Sequence, residues 1–162
     1  MKIAFFTGNH DGDTLLVRMG WWVTQLVQKG PYGSVTHVEA IHAEHLDGTV
    51  TISSASVRDG GVRCKCVKLN PKNWMIVDVP SWDVEKSVRH LASTEGCKYD
   101  WRGAIATAFI GSQDDSRWFC NEHVSYPFLK ASATFGPHHL AAICLSIGKD
   151  VTTTFFKSRD RQ

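Results

Sequence analysis

Residues 116–124 are Ser116-Arg117-Trp118-Phe119-Cys120-Asn121-Glu122-His123-Val124, so a single cysteine follows two large aromatic side chains. Asp114, Asp115 and Ser116 stand before it, and these residue types favour the N-cap of a helix. A helix is predicted as far as Pro127, with Cys120 in its first turn. Amide groups and the positive end of the helix dipole stabilise a thiolate there. The alternative is that Cys120 is a small buried hydrophobic residue.

The length and composition are those of an ordinary folded domain. The chain has 162 residues, of which 43% are hydrophobic and 21% are charged. We expect one domain over residues 1–162, large enough to bury about 70% of its unfolded surface. The net charge is +2, and acidic and basic residues are mixed along the chain. No block of like charge indicates a nucleic-acid partner.

No apolar run is long enough to span a bilayer, so no transmembrane segment is expected. Residues 1–6 begin like a signal peptide, but polar residues 9–13 end the apolar part too early. The protein is therefore expected to stay in the cytoplasm where it is made. A phage-encoded protein of this kind would also be found in the virion or the host cell.

The five cysteines do not suggest a disulfide framework. They are Cys64, Cys66, Cys97, Cys120 and Cys144. Their odd number and uneven spacing argue against disulfide pairing. Cys64 and Cys66 are predicted on one face of a strand, but no second pair completes a zinc site, so both are interpreted as structural thiols.

The first half of the chain predicts strands and the second half predicts helices, which is an α+β pattern with an antiparallel β core. Asp47-Gly48 is a hairpin turn signal, and a second, glycine-rich turn covers 58–61. Strands are predicted at 2–7, 13–18, 35–42, 49–55, 62–69, 74–79 and 152–156. Helices are predicted at 20–28, 83–95, 101–110, 120–127 and 137–146.

His37 lies in the middle of an alternating strand, and Glu39 shares its face two residues later. A thiol nucleophile needs a base within hydrogen-bond reach and a group that orients the base. A Glu39 carboxylate bonded to the His37 imidazole would fix its tautomer and support the imidazolium. Cys120, His37 and Glu39 are therefore the candidate catalytic residues. Otherwise, His37 and Glu39 are a half-exposed strand residue and a solvent-facing carboxylate.

Two other arrangements of histidines were considered. His37, Glu39, His42, Glu44 and His45 resemble metal ligands in composition. Strand alternation places His42 opposite His37, so a metal site would need a distorted strand. His123, three residues after Cys120, is a second candidate base, but both side chains would point outward from the helix. No cofactor and no metal are expected.

The order of the motifs resembles a known family. Gly12-Asp13, a strand, a helix and Thr36-His37-Val38-Glu39 are similar to the histidine segment of NlpC-like papain-fold cysteine hydrolases. Trp118-Phe119-Cys120-Asn121-Glu122 follows that histidine, which is the order of the circularly permuted branch that includes lecithin:retinol acyltransferase-like enzymes. Ser53-Ser54, residues 58–63 and Tyr99-Asp100-Trp101 also resemble permuted bacterial and phage members. The resemblance covers most of residues 12–130.

This resemblance implies a permuted papain-like fold in which Cys120 is the nucleophile and His37 is the base. Glu39 matches the polar partner of the bacterial type. Some relatives place that partner on the next strand, where Thr49, Thr51 or Ser53 would stand. Asn121 replaces the more usual serine, with little effect expected, and the backbone amide of Cys120 would donate to an oxyanion.

The resulting hypothesis is a thiol-dependent hydrolase or acyltransferase that cuts an amide or ester bond through an acyl-enzyme. Its substrate would be a peptide, a peptidoglycan fragment or an acylated small molecule. The alternative is a non-catalytic binding or virion-associated protein that retains the fold, with Trp21 and Trp22 at an interface. The sequence does not specify an oligomeric state.

Overall fold

The structure is a computed structural model that describes residues 1–8, 35–100, 104, 116–130 and 136–159. Within these residues the chain forms an α+β fold with eight strands and four helices. In chain order they are β1 (Lys2–Phe6), β2 (His37–Glu44), β3 (Val50–Ser56), β4 (Gly61–Val67), β5 (Trp74–Asp78), α1 (Val84–Thr94), β6 (Lys98–Tyr99), β7 (Arg117–Trp118), α2 (Cys120–Leu129), α3 (Pro137–Ile147), β8 (Lys149–Asp150) and α4 (Thr152–Arg159). The strands form one curled sheet that resembles half of a barrel.

The sheet order is β7-β6-β4-β3-β2-β1-β5-β8. Every neighbouring pair is antiparallel except β6 and β7, which run parallel. The predicted antiparallel core is therefore correct for the centre, but the whole sheet is mixed. β7 lies beside β6 in this parallel pair and leads directly into α2, the helix that begins at Cys120.

Two hairpins follow from local turn chemistry. Gly48 and Gly60 both have φ of 79°, in the left-handed region that glycine adopts without a Cβ clash. Asp47 accepts hydrogen bonds from the amide and the hydroxyl of Thr49, at 2.9 Å and 2.7 Å. Both predicted turns are confirmed, and they bring β2, β3 and β4 together as a meander.

Helices cover both faces of the central sheet. Ile3 and Phe5 of β1 pack in one core with Val124 of α2 and Leu140 of α3. Ala4, between them on β1, packs instead in a second core with Phe155 of α4. Because successive strand residues point to opposite faces, α2 and α3 lie on one face and α4 on the other.

The predicted strand at 152–156 is wrong, because this segment belongs to the helix α4, Thr152–Arg159. The run of three threonines suggested a strand, since β-branched residues favour extended backbone. Instead, the Asp150 carboxylate accepts a hydrogen bond at 2.9 Å from the amide of Thr152, the first residue of the helix. Burial of Phe155 and Phe156 against the sheet then stabilises the helical form.

The other predicted boundaries differ in smaller ways. α1 begins after Asp83, which accepts from the Glu85 amide, and Val88 of this helix is 44% exposed. α2 continues past Pro127 to Leu129, and its N-cap is Phe119 rather than any of Asp114–Ser116. A proline late in a helix loses only one intrahelical bond, which packing around α2 can offset.

Some predicted elements fall outside the described residues. These are the strand at 13–18, the helix at 20–28 with Trp21 and Trp22, and the helix at 101–110 apart from Ala104, which is helical. Among the described helices, none is both long and apolar enough to cross a bilayer.

Candidate active site

Cys120 is the first residue of α2, as predicted. β7 holds this helix start in place, because the carbonyl of Trp118 accepts a hydrogen bond from the amide of Asp100 at 2.9 Å. The amide of His123 donates to the carbonyl of Phe119 at 3.0 Å and closes the first turn. The amide of Cys120 belongs to the group that has no acceptor within the helix itself. Cys120 is 4% exposed and packs against Val38 and Ala40 of β2 in the core.

His37 begins β2, and its side chain lies between a thiol and a carboxylate. Its Nε2 lies 2.8 Å from Oε1 of Glu39. The Cys120 side chain lies close enough to this imidazole to contribute to its raised pKa. The structure therefore brings the three sequence-predicted residues together, although the positions of Cys120 and His37 in the chain are far apart.

The sheet opens at the point where these residues meet. The β2–β3 ladder starts at Ala40 and Ser53, so the first three residues of β2 are paired with β1 but not with β3. α2 packs against both β2 and β3. The divergence of the two strands therefore places His37 and Glu39 beside a gap in the ladder and close to the start of α2.

Arg63 of β4 spans this gap, and sequence reasoning gave it no role. Its guanidinium donates to both oxygens of Glu39, with Nη1 2.7 Å from Oε2 and Nη2 bonded to Oε1. Nη1 also lies 3.2 Å from the carbonyl oxygen of Ser54. The positive charge of Arg63, opposite to that of Glu39, was the feature of the sequence that could have indicated an ion pair. Which residues pair depends on the register of the strands, and hydrophobic periodicity does not give that register.

A second carboxylate lies on the outer side of Arg63. Oδ2 of Asp59 accepts from Nε of Arg63 at 2.7 Å and from Nζ of Lys65 at 2.9 Å. Charges of alternating sign therefore extend from His37 through Glu39, Arg63 and Asp59 to Lys65 at the surface.

These contacts shift the pKa values of the acids and bases in the site. Burial lowers the pKa of His37, but the charge of Glu39 and hydrogen bonds to Cys120 and Glu39 outweigh burial and raise that pKa to about 9. Burial raises the pKa of Glu39, but His37 and Arg63 lower it to about 2. Burial likewise raises the pKa of Asp59, and Arg63 and Lys65 lower it to about 2. At neutral pH the site holds an imidazolium next to a carboxylate.

A cleft of about 270 Å³ opens over this charged row. Its lining has an apolar part, a charged part and two further polar residues. The lining residues are Phe6, Ile52, Val57, Val67, Leu69 and Trp74, then His37, Glu39, Arg58, Asp59, Arg63, Lys65 and Lys68, and finally Ser56 and Tyr99. His37 and Glu39 reach this cleft, so a molecule bound there can contact the imidazole.

Glu39 differs from the other candidates for the residue that orients His37, which are Thr49, Thr51 and Ser53. Ser53 Oγ lies 2.6 Å from Nε2 of His42, and Thr51 Oγ1 lies 2.7 Å from Nε2 of His45. Thr49 Oγ1 donates to Asp47 and accepts from the thiol of Cys66. Of the four candidates, only Glu39 is bonded to His37.

His123 does not form the site. Its Nε2 lies 3.1 Å from Thr94 Oγ1, and its ring packs against His90 with centroids 4.9 Å apart. Burial lowers the pKa of His123 to about 3, with a further contribution from His90. An imidazole with so low a pKa is a poor acceptor for the proton of a thiol.

No metal cluster is found among the residues that the structure describes, where no three of His, Cys, Asp and Glu come close enough together. His42 and His45 of the considered ligand set are bonded to hydroxyl groups instead. The five cysteines are all free thiols. Burial raises the pKa of Cys144 to about 12, which makes that thiol unreactive.

Comparison with known proteins found no matching family model, no similar curated protein and no similar solved structure.

Proposed function

We propose that this protein is a thiol-dependent hydrolase or acyltransferase with Cys120 as nucleophile, His37 as acid and base, and Glu39 as the residue that orients His37. The observation that carries the proposal is the position of the His37 imidazole, which is bonded to Glu39 and lies beside the Cys120 side chain. A nucleophile, a base and an orienting acid in this order define the general arrangement of nucleophilic catalysis.

The reaction would proceed in two halves. His37 holds the proton of the thiol, and the Cys120 sulfur attacks the carbonyl carbon of an amide or ester to form a C–S bond. The tetrahedral intermediate collapses, the C–N or C–O bond breaks, and His37 transfers its proton to the leaving group. Water, or an acceptor alcohol or amine, then attacks the thioester after losing a proton to His37, which releases the acyl group and regenerates the thiol.

Since Nε2 of His37 is bonded to Glu39, Nδ1 is the nitrogen that remains for the thiol proton. The amide of Cys120 at the start of α2 would donate to the oxyanion of the intermediate. The positive end of the α2 dipole favours charge on both the sulfur and that oxygen. The catalytic thiol and the oxyanion donor thus come from one helix terminus.

The order of the elements supports a circularly permuted papain-like fold of the NlpC type. β2 with His37 precedes α2 with Cys120 in the chain, and the helix packs against an antiparallel sheet. The cleft combines an apolar wall with charged groups beside His37. This lining suits a peptide, a peptidoglycan fragment or an acylated small molecule.

One observation favours the second candidate function, a binding or virion-associated protein that retains this fold. Cys120 is only 4% exposed, whereas a nucleophile must be reached by its substrate. In that case the cleft would bind a ligand without turnover. The two candidates differ in whether the sulfur reacts.

Alkylation with iodoacetamide tests the proposal without knowledge of the substrate. The labelled fraction of each cysteine is measured by peptide mass spectrometry between about pH 5 and pH 9. We expect Cys120 to react well below pH 8, where Cys66, an exposed thiol, reacts slowly. Cys66→Ser is the matched control and should leave Cys120 labelling unchanged.

A second measurement follows the acyl-enzyme. Intact mass spectrometry with p-nitrophenyl esters, acyl thioesters and short peptide amides should show an acyl adduct that Cys120→Ala abolishes while the fold is kept. If Cys120 is no more reactive than an ordinary thiol and no adduct forms, the binding function replaces the enzyme.

A further inference from the structure

We infer that Arg63 is a positioning residue of this site, which holds the Glu39 carboxylate ionised and oriented toward His37. This inference rests on the proposed function for its catalytic meaning, but the contacts on which it is based are independent of any substrate. Arg63 acts through Glu39, because its guanidinium bonds both oxygens of that carboxylate.

Both oxygens of the Glu39 carboxylate are bonded by neighbouring side chains. Oε1 receives both the imidazole of His37 and Nη2 of Arg63, while Oε2 receives Nη1. A planar guanidinium that bonds both carboxylate oxygens restricts rotation of the carboxylate. Among the residues that the structure describes, Arg63 alone bonds Oε2, and Oε1 is the oxygen directed at His37.

The Glu39 side chain is buried, which makes its ionisation depend on a nearby positive charge. Glu39 is 2% exposed, and an isolated carboxylate at such a position would prefer to be neutral. A neutral Glu39 could not support the imidazolium of His37. Arg63, whose side chain is 15% exposed, supplies the nearest permanent positive charge. The orientation of the acid and its ionisation therefore depend on the same residue.

Arg63 also spans the gap between β2 and β3. Where the β2–β3 ladder is missing, Arg63 joins the two strands by bonding both Glu39 of β2 and the Ser54 carbonyl of β3. Asp59 bonds the Nε edge of the same guanidinium at 2.7 Å and fixes it from the other side. Arg63 is thus held on three sides, as a preorganised positioning group requires.

A double-mutant cycle with Arg63→Met and Glu39→Gln tests this inference. The readout is the second-order rate constant for iodoacetamide at Cys120, which needs no substrate. Each single variant should lower the rate constant by about tenfold or more at neutral pH. The double variant should be no slower than the slower single variant, because Arg63 acts only through Glu39. Losses that multiply in the double variant would overturn the inference.

The pH dependence of the same reaction provides a readout that a merely structural residue would not change. In Arg63→Met, burial without the guanidinium should raise the pKa of Glu39, so an acid limb due to Glu39 appears in addition to the one that protonation of the thiolate causes. The limb due to Glu39 should vanish when Glu39→Gln is added. A profile of Arg63→Met with the shape of wild type would contradict the inference.

Two further variants control for folding and for charge. Arg89→Met removes an exposed arginine that is also ion-paired, with Glu85 on α1, and should leave the rate constant unchanged. Arg63→Lys keeps the charge but loses the two-pronged contact, so its rate constant should lie between those of wild type and Arg63→Met. A lysine variant as reactive as wild type would show that charge suffices and would overturn the positioning role.

The outcomes for Arg63 and for the proposed function can be told apart. If the cycle shows coupling but no ester, thioester or amide acylates Cys120, the enzyme proposal fails and the role of Arg63 stands. If a substrate is turned over and the losses multiply, the enzyme proposal stands and the role of Arg63 fails.

Discussion

His37 Nε2 donates to Glu39 Oε1 over 2.8 Å, and the two residues stand two positions apart on the same face of β2. This contact lies beside the start of α2, where the His37 imidazole also meets the Cys120 side chain. A strand of the sheet thus aligns acid and base, and a helix terminus presents the thiol to them.

Glu39→Gln should lower the pKa of His37 from about 9 toward its ordinary value near 6.5, because the neighbouring negative charge is removed. Imidazole NMR titration measures this change. The rate of Cys120 alkylation at neutral pH should fall by roughly 10²-fold. Ser53→Ala is the matched control, since it removes a hydroxyl bonded to a different imidazole, that of His42. Equal losses in both variants would count against Glu39 as the third residue.

The free energy of unfolding should pass through a maximum near pH 6.5. The raised pKa of His37, about 9, means that its contribution is complete below about pH 6.5 and is lost as the pH rises toward 9. The lowered pKa of His123, about 3, has the opposite sign, so its contribution is complete above about pH 6.5 and is lost as the pH falls.

Urea unfolding between about pH 4 and pH 9.5 measures this dependence. The loss on the alkaline side should be on the order of 3 kcal/mol, from the difference between the two His37 pKa values. His37→Asn should flatten the alkaline side, and His123→Asn should reduce the loss on the acid side, to which the lowered pKa values of His42, His90 and His138 also contribute. An alkaline loss that persists in His37→Asn would assign it to another group.

Gly61→Ala should destabilise the protein by about 2–3 kcal/mol, because an added Cβ would lie 2.0 Å from the backbone oxygen of Cys97. Relief of that clash moves β6 away from β4 and displaces Tyr99, a residue of the cleft. Cys120 labelling should change as well.

Gly60→Ala is the control for this position. Apart from its chain neighbours, no atom of the described residues lies within 4 Å of its added Cβ, and the strain of its φ of +79° is what opposes alanine. We expect a cost of about 1 kcal/mol without a change in Cys120 labelling. Equal destabilisation in both variants, measured by urea unfolding, would show that the close approach of β4 and β6 is not limiting.

Leu140→Ala should lower the free energy of unfolding by about 2–4 kcal/mol, because Leu140 is fully buried in the core between α3 and the sheet. Leu46→Ala removes the same atoms from a residue that is 86% exposed and should cost less than about 0.5 kcal/mol. Denaturant midpoints at constant slope measure both. A small effect at Leu140 would mean that α3 is not packed as described.

Local chemistry in the sequence was enough to predict much of this protein. The Asp47-Gly48 turn and the alternation that places His37 and Glu39 on one face each depend on a few consecutive residues. Such features follow from turn geometry and strand period, which act within one element. The same local reasoning failed at 152–156, where a threonine run suggested a strand and packing of Phe155 selected a helix.

Only the tertiary structure decided which groups meet across elements. In the folded protein Arg63 of β4 bonds Glu39 of β2. Ser53 bonds His42, and Thr51 bonds His45. His123 bonds Thr94 and not the candidate site. These choices depend on strand register and on how far neighbouring strands diverge. Strand register and strand divergence are both set by packing of the whole sheet against its helices. The free energy that favours one register comes from contacts between many segments, so the sequence of one segment does not determine it.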